Sequence, residues 1–182
     1  MFGFSGGCSD EDCAPNCEAC VGETCEKACA PGSSCDLTCS EGADCDLDCQ
    51  SKSNCTADCS VAGGCDASCE GQSSCAVDCS ESGDCDLDCA GGSDCSITCK
   101  ENCGGGCAGN SNCAVDCQQD CGIGCTGNGT CTLTCKTNCF VCCKGSGTCA
   151  LSCSEAEVTE CPGEGNEIIK VCGRECPPPD AC

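Results

Sequence analysis

From Cys35 onward the chain alternates cysteine, polar, aliphatic, polar, cysteine, breaks into a short polar connection, and begins again. The thirteen segments read CDLTC, CDLDC, CTADC, CDASC, CAVDC, CDLDC, CSITC, CGGGC, CAVDC, CGIGC, CTLTC, CFVCC and CALSC. Their central residue is Leu, Ala, Val or Ile in twelve cases and Gly105 in the other. A period of two predicts β-strands whose cysteines and central aliphatic point inward while the residues between them point out. Lysine, arginine and glutamate never occupy an outward strand position and are confined to the connections. Short strands on a fixed period predict an all-β stacked solenoid.

The connections decide how many strands make one coil. Up to Cys95 each has five residues: SEGAD, QSKSN, SVAGG, EGQSS, SESGD and AGGSD. Beyond it three- and five-residue connections alternate: KEN, AGNSN, QQD, TGNGT, KTN and KGSGT. A one-strand coil of ten residues would break the stack at every level there, and is open for the first half only. A coil of two five-residue strands shortens on one side only, from 20 residues to 18. The expectation is a narrow, cysteine-cored β-solenoid of about six and a half coils, a rod about 30 Å long. It would run from 35 to 153, between a cysteine-rich N-terminal cap at 1–34 and a C-terminal cap at 154–182. The caps would cover sheet edges that otherwise pair with other chains. The C-terminal one carries the apolar run Ile168, Ile169 and Val171.

Composition explains why cysteine lies at the centre. The 182 residues include three Phe, one Met and no Trp or Tyr, but 37 Cys. An ordinary core cannot be assembled from these, and the cysteine content points to a disulfide scaffold or a thiolate metal store. Facing sheets lie about 10 Å apart, too wide for a disulfide, whose Cβ atoms approach within about 4.5 Å. The sheets converge, however, where the coil turns, which is where these cysteines sit. Corner pairs would join Cys39 to Cys45, Cys49 to Cys55, Cys59 to Cys65, Cys69 to Cys75, and so on along both edges. Thirteen such pairs, from Cys29–Cys35 to Cys143–Cys149, leave eleven cysteines. Eleven is odd, so one thiol is free or bonded to a second chain, and Cys142, beside Cys143, is the candidate.

Reduced, the same corners would serve differently. Two pairs on successive coils offer four thiolates, the ligand set of Zn²⁺ or an iron–sulfur cluster. The candidate sets are Cys39, Cys45, Cys59 and Cys65 on one edge, and Cys49, Cys55, Cys69 and Cys75 on the other. Oxidised pairs imply a secreted protein without a cofactor, and metal-loaded thiolates a cytosolic one. Met1 to Gly7 has neither the charged start nor the apolar stretch of a secretory signal.

The charge is −23, from 30 acidic and seven basic residues. It disfavours nucleic acid and anionic membranes and favours cations. In the even-numbered segments Asp46, Asp66 and Asp86 form one column, with Asp48, Ser68 and Asp88 beside it. Carboxylates stacked about 5 Å apart repel unless solvated or bridged by a cation such as Ca²⁺.

In the odd-numbered segments the outward pairs run Asp36/Thr38, Thr56/Asp58, Ala76/Asp78, Ser96/Thr98, Ala114/Asp116, Thr132/Thr134 and Ala150/Ser152. Every one is small. Together with the cysteine-cored coil from Cys35 to Cys153, this face resembles the flat faces of the cysteine-rich solenoid antifreeze proteins of beetles and midges. The resemblance implies binding to ice, or to another extended surface, through Thr38, Thr56, Ser96, Thr98, Thr132, Thr134 and Ser152. Enzyme chemistry finds no footing: histidine is absent, and glycine-rich turns recur without a phosphate-loop lysine.

Overall fold

A computed structural model describes residues 24–177. β1 (Thr24–Cys29), β2 (Ser34–Thr38), β3 (Asp44–Cys49), β4 (Asn54–Asp58) and β5 (Gly64–Cys69) open the series. β6 (Ser74–Gly83), β7 (Cys85–Cys89), β8 (Asp94–Glu101), β9 (Gly104–Gly109) and β10 (Asn112–Gln119) continue it. β11 (Gly122–Gly127), β12 (Thr130–Cys135), β13 (Cys139–Gly145) and β14 (Thr148–Cys153) complete the coils, before β15 (Val158–Cys161) and β16 (Glu167–Cys172). Odd-numbered β1 to β13 stack in one parallel sheet, to which β16 and β15 add antiparallel strands; even-numbered β2 to β14 stack in the other. Two strands therefore share each coil. Among the described residues there is no helix long and apolar enough to cross a membrane.

The register follows the connection lengths. Leu47, Ala67 and Leu87 stack at intervals of 20 residues in one sheet, and Leu37, Ala57 and Val77 in the other. After the first short connection the interval is 18, as in Ile97 to Val115 to Leu133 to Leu151. These aliphatic columns are buried throughout. Burial contributes about 1.5–3 kcal/mol for each large aliphatic, so the columns alone cannot supply the core of a chain this size. Cysteine lines both edges of the core, also buried.

The stack starts earlier than expected. β1 pairs in parallel with β3, Cys25 beside Cys45 and Cys29 beside Cys49, so the ladder already runs through the segment expected to cap it. The segment CEKAC escapes the sequence rule because Lys27 occupies its central position. Residues 1–23, the remainder of that expected cap, lie outside those described. At the other end β16 lies antiparallel on β13 and β15 on β16, with a salt bridge of 2.9 Å between Lys144 and Glu167.

Gly105, the exception among the central residues, sits where the interval changes from 20 to 18, opposite Leu87. Its φ is +149°, and a Cβ there would overlap the Leu87 carbonyl oxygen. The shortened coil brings backbone into the space a side chain would need, in a conformation open to glycine alone.

The connections are not merely solvated. Ser53, Ser73, Ser93 and Ser111, each fourth in its five-residue connection, are buried in a single row. Ser93 Oγ donates to the Ala90 carbonyl at 2.7 Å and Ser111 Oγ to the Ala108 carbonyl at 2.8 Å. Each hydroxyl also accepts from the coil before it, Ser73 N–H to Ser93 Oγ and Ser93 N–H to Ser111 Oγ, both at 3.2 Å. The row thus satisfies turn amides and carbonyls that burial would otherwise leave unpaired. Nothing in a strand rule reveals it; the recurrence of serine at one offset in successive connections is the signal that would have.

Candidate functional site: the two outer faces and the sulfur corners

All thirteen corner disulfides form, from Cys29–Cys35 to Cys143–Cys149, with Cα–Cα separations between 5.9 and 6.7 Å. Two more, Cys153–Cys172 and Cys161–Cys176, tie the C-terminal hairpin to the last coil and to its own tail. A corner bond closes a loop of four or six residues and contributes about 2 kcal/mol on the chain-entropy account. Every cysteine among the described residues is disulfide-bonded.

Cys142 is among them, which corrects its assignment as the free thiol. Strand alternation sends Cys143 into the corner and Cys142 to the outer face of β13, opposite Ile169. There it is buried with Cys161, Ile169 and Val171, and Phe140 packs against them beneath Arg174, 4.9 Å from the ring centroid. The odd cysteine that a total of 37 requires lies outside the described residues.

The eight cysteines expected as metal ligands are joined as Cys39–Cys45, Cys59–Cys65, Cys49–Cys55 and Cys69–Cys75. Successive corners lie close: Cys39 Sγ is 3.4 Å from Cys59 Sγ. Three sulfurs at a time, such as Cys49, Cys55 and Cys75, fall within 4.8 Å of one another. A disulfide sulfur carries no thiolate charge and is no ligand of this kind, so metal chemistry here requires prior reduction.

On the seven-stranded sheet the register gathers the expected small residues into two columns. Asp36, Thr56, Ala76, Ser96, Ala114, Thr132 and Ala150 form one; Thr38, Asp58, Asp78, Thr98, Asp116, Thr134 and Ser152 form the other. Thr56 Oγ1 donates to the Asp36 carboxylate. Asp58 turns toward its connection and accepts from Ser60 Oγ at 2.7 Å and Ser60 N–H at 3.2 Å, which holds its pKa below the usual range. Asp78 accepts from Ser80 N–H in the same way, at 2.9 Å. A third exposed column, Ser34, Asn54, Ser74, Asp94, Asn112, Thr130 and Thr148, widens the face. The sequence reading missed it because these residues precede the first cysteine of each segment. Asn112 Nδ2 donates along it to Asp94 Oδ1 at 2.8 Å.

On the nine-stranded sheet Glu26, Asp46, Asp66 and Asp86 stack in register, with Asp48, Ser68 and Asp88 alongside. Asp86 and Asp88 are followed by Gly104 and Gly106, where an added Cβ would meet the preceding carboxylate at 2.6 and 2.7 Å. The column ends on glycine because the last carboxylates lie over that backbone. Desolvation, then the charges of Asp86, Asp46, Asp88 and Asp44, raises the pKa of Asp66. Its protonated form is thus favoured by folding. The stability this gives is complete below the ordinary aspartate pKa and is lost as pH rises through the elevated one. Unfolding midpoints of the oxidised protein and of Asp66→Asn should therefore coincide at about pH 3, with the variant the more stable at about pH 7. A constant difference across that range would mean that Asp66 titrates as it does in the unfolded chain.

The coils and their corner bonds define the class of the protein: a disulfide-clamped, two-sheeted β-solenoid. Comparison with protein-family models, with curated proteins and with solved structures finds no match to this chain.

Proposed function

We propose that this protein is a secreted, non-catalytic rod that binds an extended surface, with ice the most specific candidate, through the outer face of β2 to β14. One observation carries the reading: seven strands hold short side chains in register in three adjacent columns, with no lysine, arginine or glutamate among them. Contacts with a lattice accumulate only where both partners repeat, and a face fixed by a disulfide at each turn loses little further entropy on binding. Extensive disulfide bonding fits an oxidising compartment.

Purified protein is expected to shape ice crystals and to give thermal hysteresis. Thr98→Lys or Thr134→Lys raises a bump on the face without touching the inward cysteines. Either should abolish most of that activity at unchanged thermal stability, whereas Asp86→Lys on the opposite sheet should leave it intact. Failure of the unmodified protein to shape ice or to inhibit its recrystallisation would exclude ice as the surface. A second reading rests on the proximity of successive corner sulfurs: a reduced chain holding Zn²⁺ or iron–sulfur clusters. It predicts metal copurifying with protein isolated under reducing conditions.

A further inference from the structure

Three side chains on the outside of the nine-stranded sheet are as buried as its core. Val141 and Lys170 face inward, so alternation turns Phe140 and Cys142 of β13, and Ile169 and Val171 of β16, outward. Ile169, Val171 and Cys142 are nevertheless 0, 1 and 3% exposed. An apolar patch on an outer face is hidden only under a further layer of chain. The residues after β16 begin that layer. Arg174 stands over the Phe140 ring, and Cys176 is bonded to Cys161, which lies opposite Ile169 on β15.

Cys142 stands on the other side of Ile169, and it is disulfide-bonded. The corner bonds and the two bonds of the C-terminal hairpin use every described cysteine except Cys25 and Cys142, which are bonded too. These two sit on β1 and β13, six strand spacings or about 29 Å apart, too far to join each other. The partner of Cys142 is therefore one of Cys8, Cys13, Cys17, Cys20 and Cys182.

We propose that Cys182 is that partner, so that the C-terminal tail crosses the outer patch, buries it and is fastened to β13 on its far side. Cys161 and Cys142 face Ile169 from its two neighbouring strands and so lie about 10 Å apart. Cys176 Cα is 5.6 Å from that of Cys161. Even the two distances together fall short of about 20 Å, the reach of the six residues from Cys176 to Cys182. Pro177, Pro178 and Pro179 favour an extended run over that span. The N-terminal cysteines start from the wrong end. Cys20, four residues before Thr24, cannot cover about 29 Å, and Cys8, Cys13 and Cys17 would have to be drawn out along the rod to do so. Cys25, on β1, takes its partner from those four instead. Three are then left, an odd number. The thiol that stays free or joins a second copy of this chain therefore lies among Cys8, Cys13, Cys17 and Cys20, at the N-terminal end.

The test counts and locates thiols by alkylating the denatured, unreduced protein and its variants. In the unmodified chain the label, or the bond to a second chain, should fall within residues 1–23 and spare Cys182. Cys142→Ser and Cys182→Ser should each raise the count by one, by releasing the other cysteine. The double variant should return to the unmodified count. A lower count for Cys182→Ser would make Cys182 itself the odd thiol, and a rise of two in the double variant would give the two cysteines different partners. Either result overturns the proposal. If a variant does not recover its β-sheet circular dichroism, stepwise reduction of the unmodified protein at acid pH decides. Cys142 and Cys182 should then become labelled together, and labelling of Cys142 with an N-terminal cysteine would overturn the assignment.

Discussion

Titration of the denatured but unreduced protein is expected to find only a few free thiols among its 37 cysteines. Full reduction under otherwise native conditions should then unfold the chain. The reason is what remains when the bonds are gone. The aliphatic columns are one residue wide on each sheet, and three phenylalanines are the whole aromatic content. Each corner bond contributes about 2 kcal/mol, and thirteen of them act on consecutive connections from β1 to β14. The corners are, moreover, where the two sheets converge, so reduction removes the link between them as well as a constraint on the unfolded chain. Circular dichroism before and after reduction and alkylation reads the second half of the prediction. Most of the 37 cysteines titrating as thiols, with zinc or iron bound, would reverse it in favour of the thiolate reading.

The second large effect is expected from a substitution that looks like an improvement. Gly105→Leu would give CGGGC, the irregular one of the thirteen segments from Cys35 to Cys153, the aliphatic centre of the other twelve. By the repeat rule it should stabilise. By the geometry it should cost more than about 3 kcal/mol, because a backbone conformation closed to side chains and a steric clash act together. The added Cβ would overlap the Leu87 carbonyl oxygen, with the carbon of that carbonyl at 2.9 Å and the Leu87 amide nitrogen at 3.1 Å. The damage should be local, with mispairing centred on Cys99–Cys103 and Cys107–Cys113, the bonds that flank β9. A denaturant midpoint and a disulfide map of the oxidised variant decide the matter. An unchanged or raised midpoint would show that the coil can widen there.

That contrast marks how far the sequence carries. Strand alternation and connection length were legible because each is a direct imprint of geometry: a period of two for the pleat, and a three-residue connection wherever one side of the coil is tighter. Corner pairing followed from the same spacing. The outer columns were legible too, since every second residue of a strand must face out. What stayed hidden depends on contacts between coils. Lys27 disguised β1 by filling an aliphatic slot with a charge whose partner carbonyl lies on the next strand. Ser53, Ser73, Ser93 and Ser111 read as ordinary connection residues until stacking enclosed them. Cys142 looked surplus because the residues that cover it, Ile169 and Val171, come from a hairpin folded back on the last coil. A repeat rule describes each rung; these residues answer to the rungs above and below, or to the ends.

The corner bonds also determine what a cut in the chain does. Every connection between β1 and β14 is bridged by the disulfide at its own two ends. Lys52, Lys100, Lys136 and Lys144 are all enclosed by such bonds, Cys49–Cys55, Cys99–Cys103, Cys135–Cys139 and Cys143–Cys149 in turn. A protease that severs the backbone after any of them opens a ring rather than a rod. The fragments stay joined through sulfur, the adjoining strands keep their neighbours in the stack, and the outer columns keep their register. Digestion becomes a sequence of silent nicks, and loss of the particle waits on an encounter with a reductant.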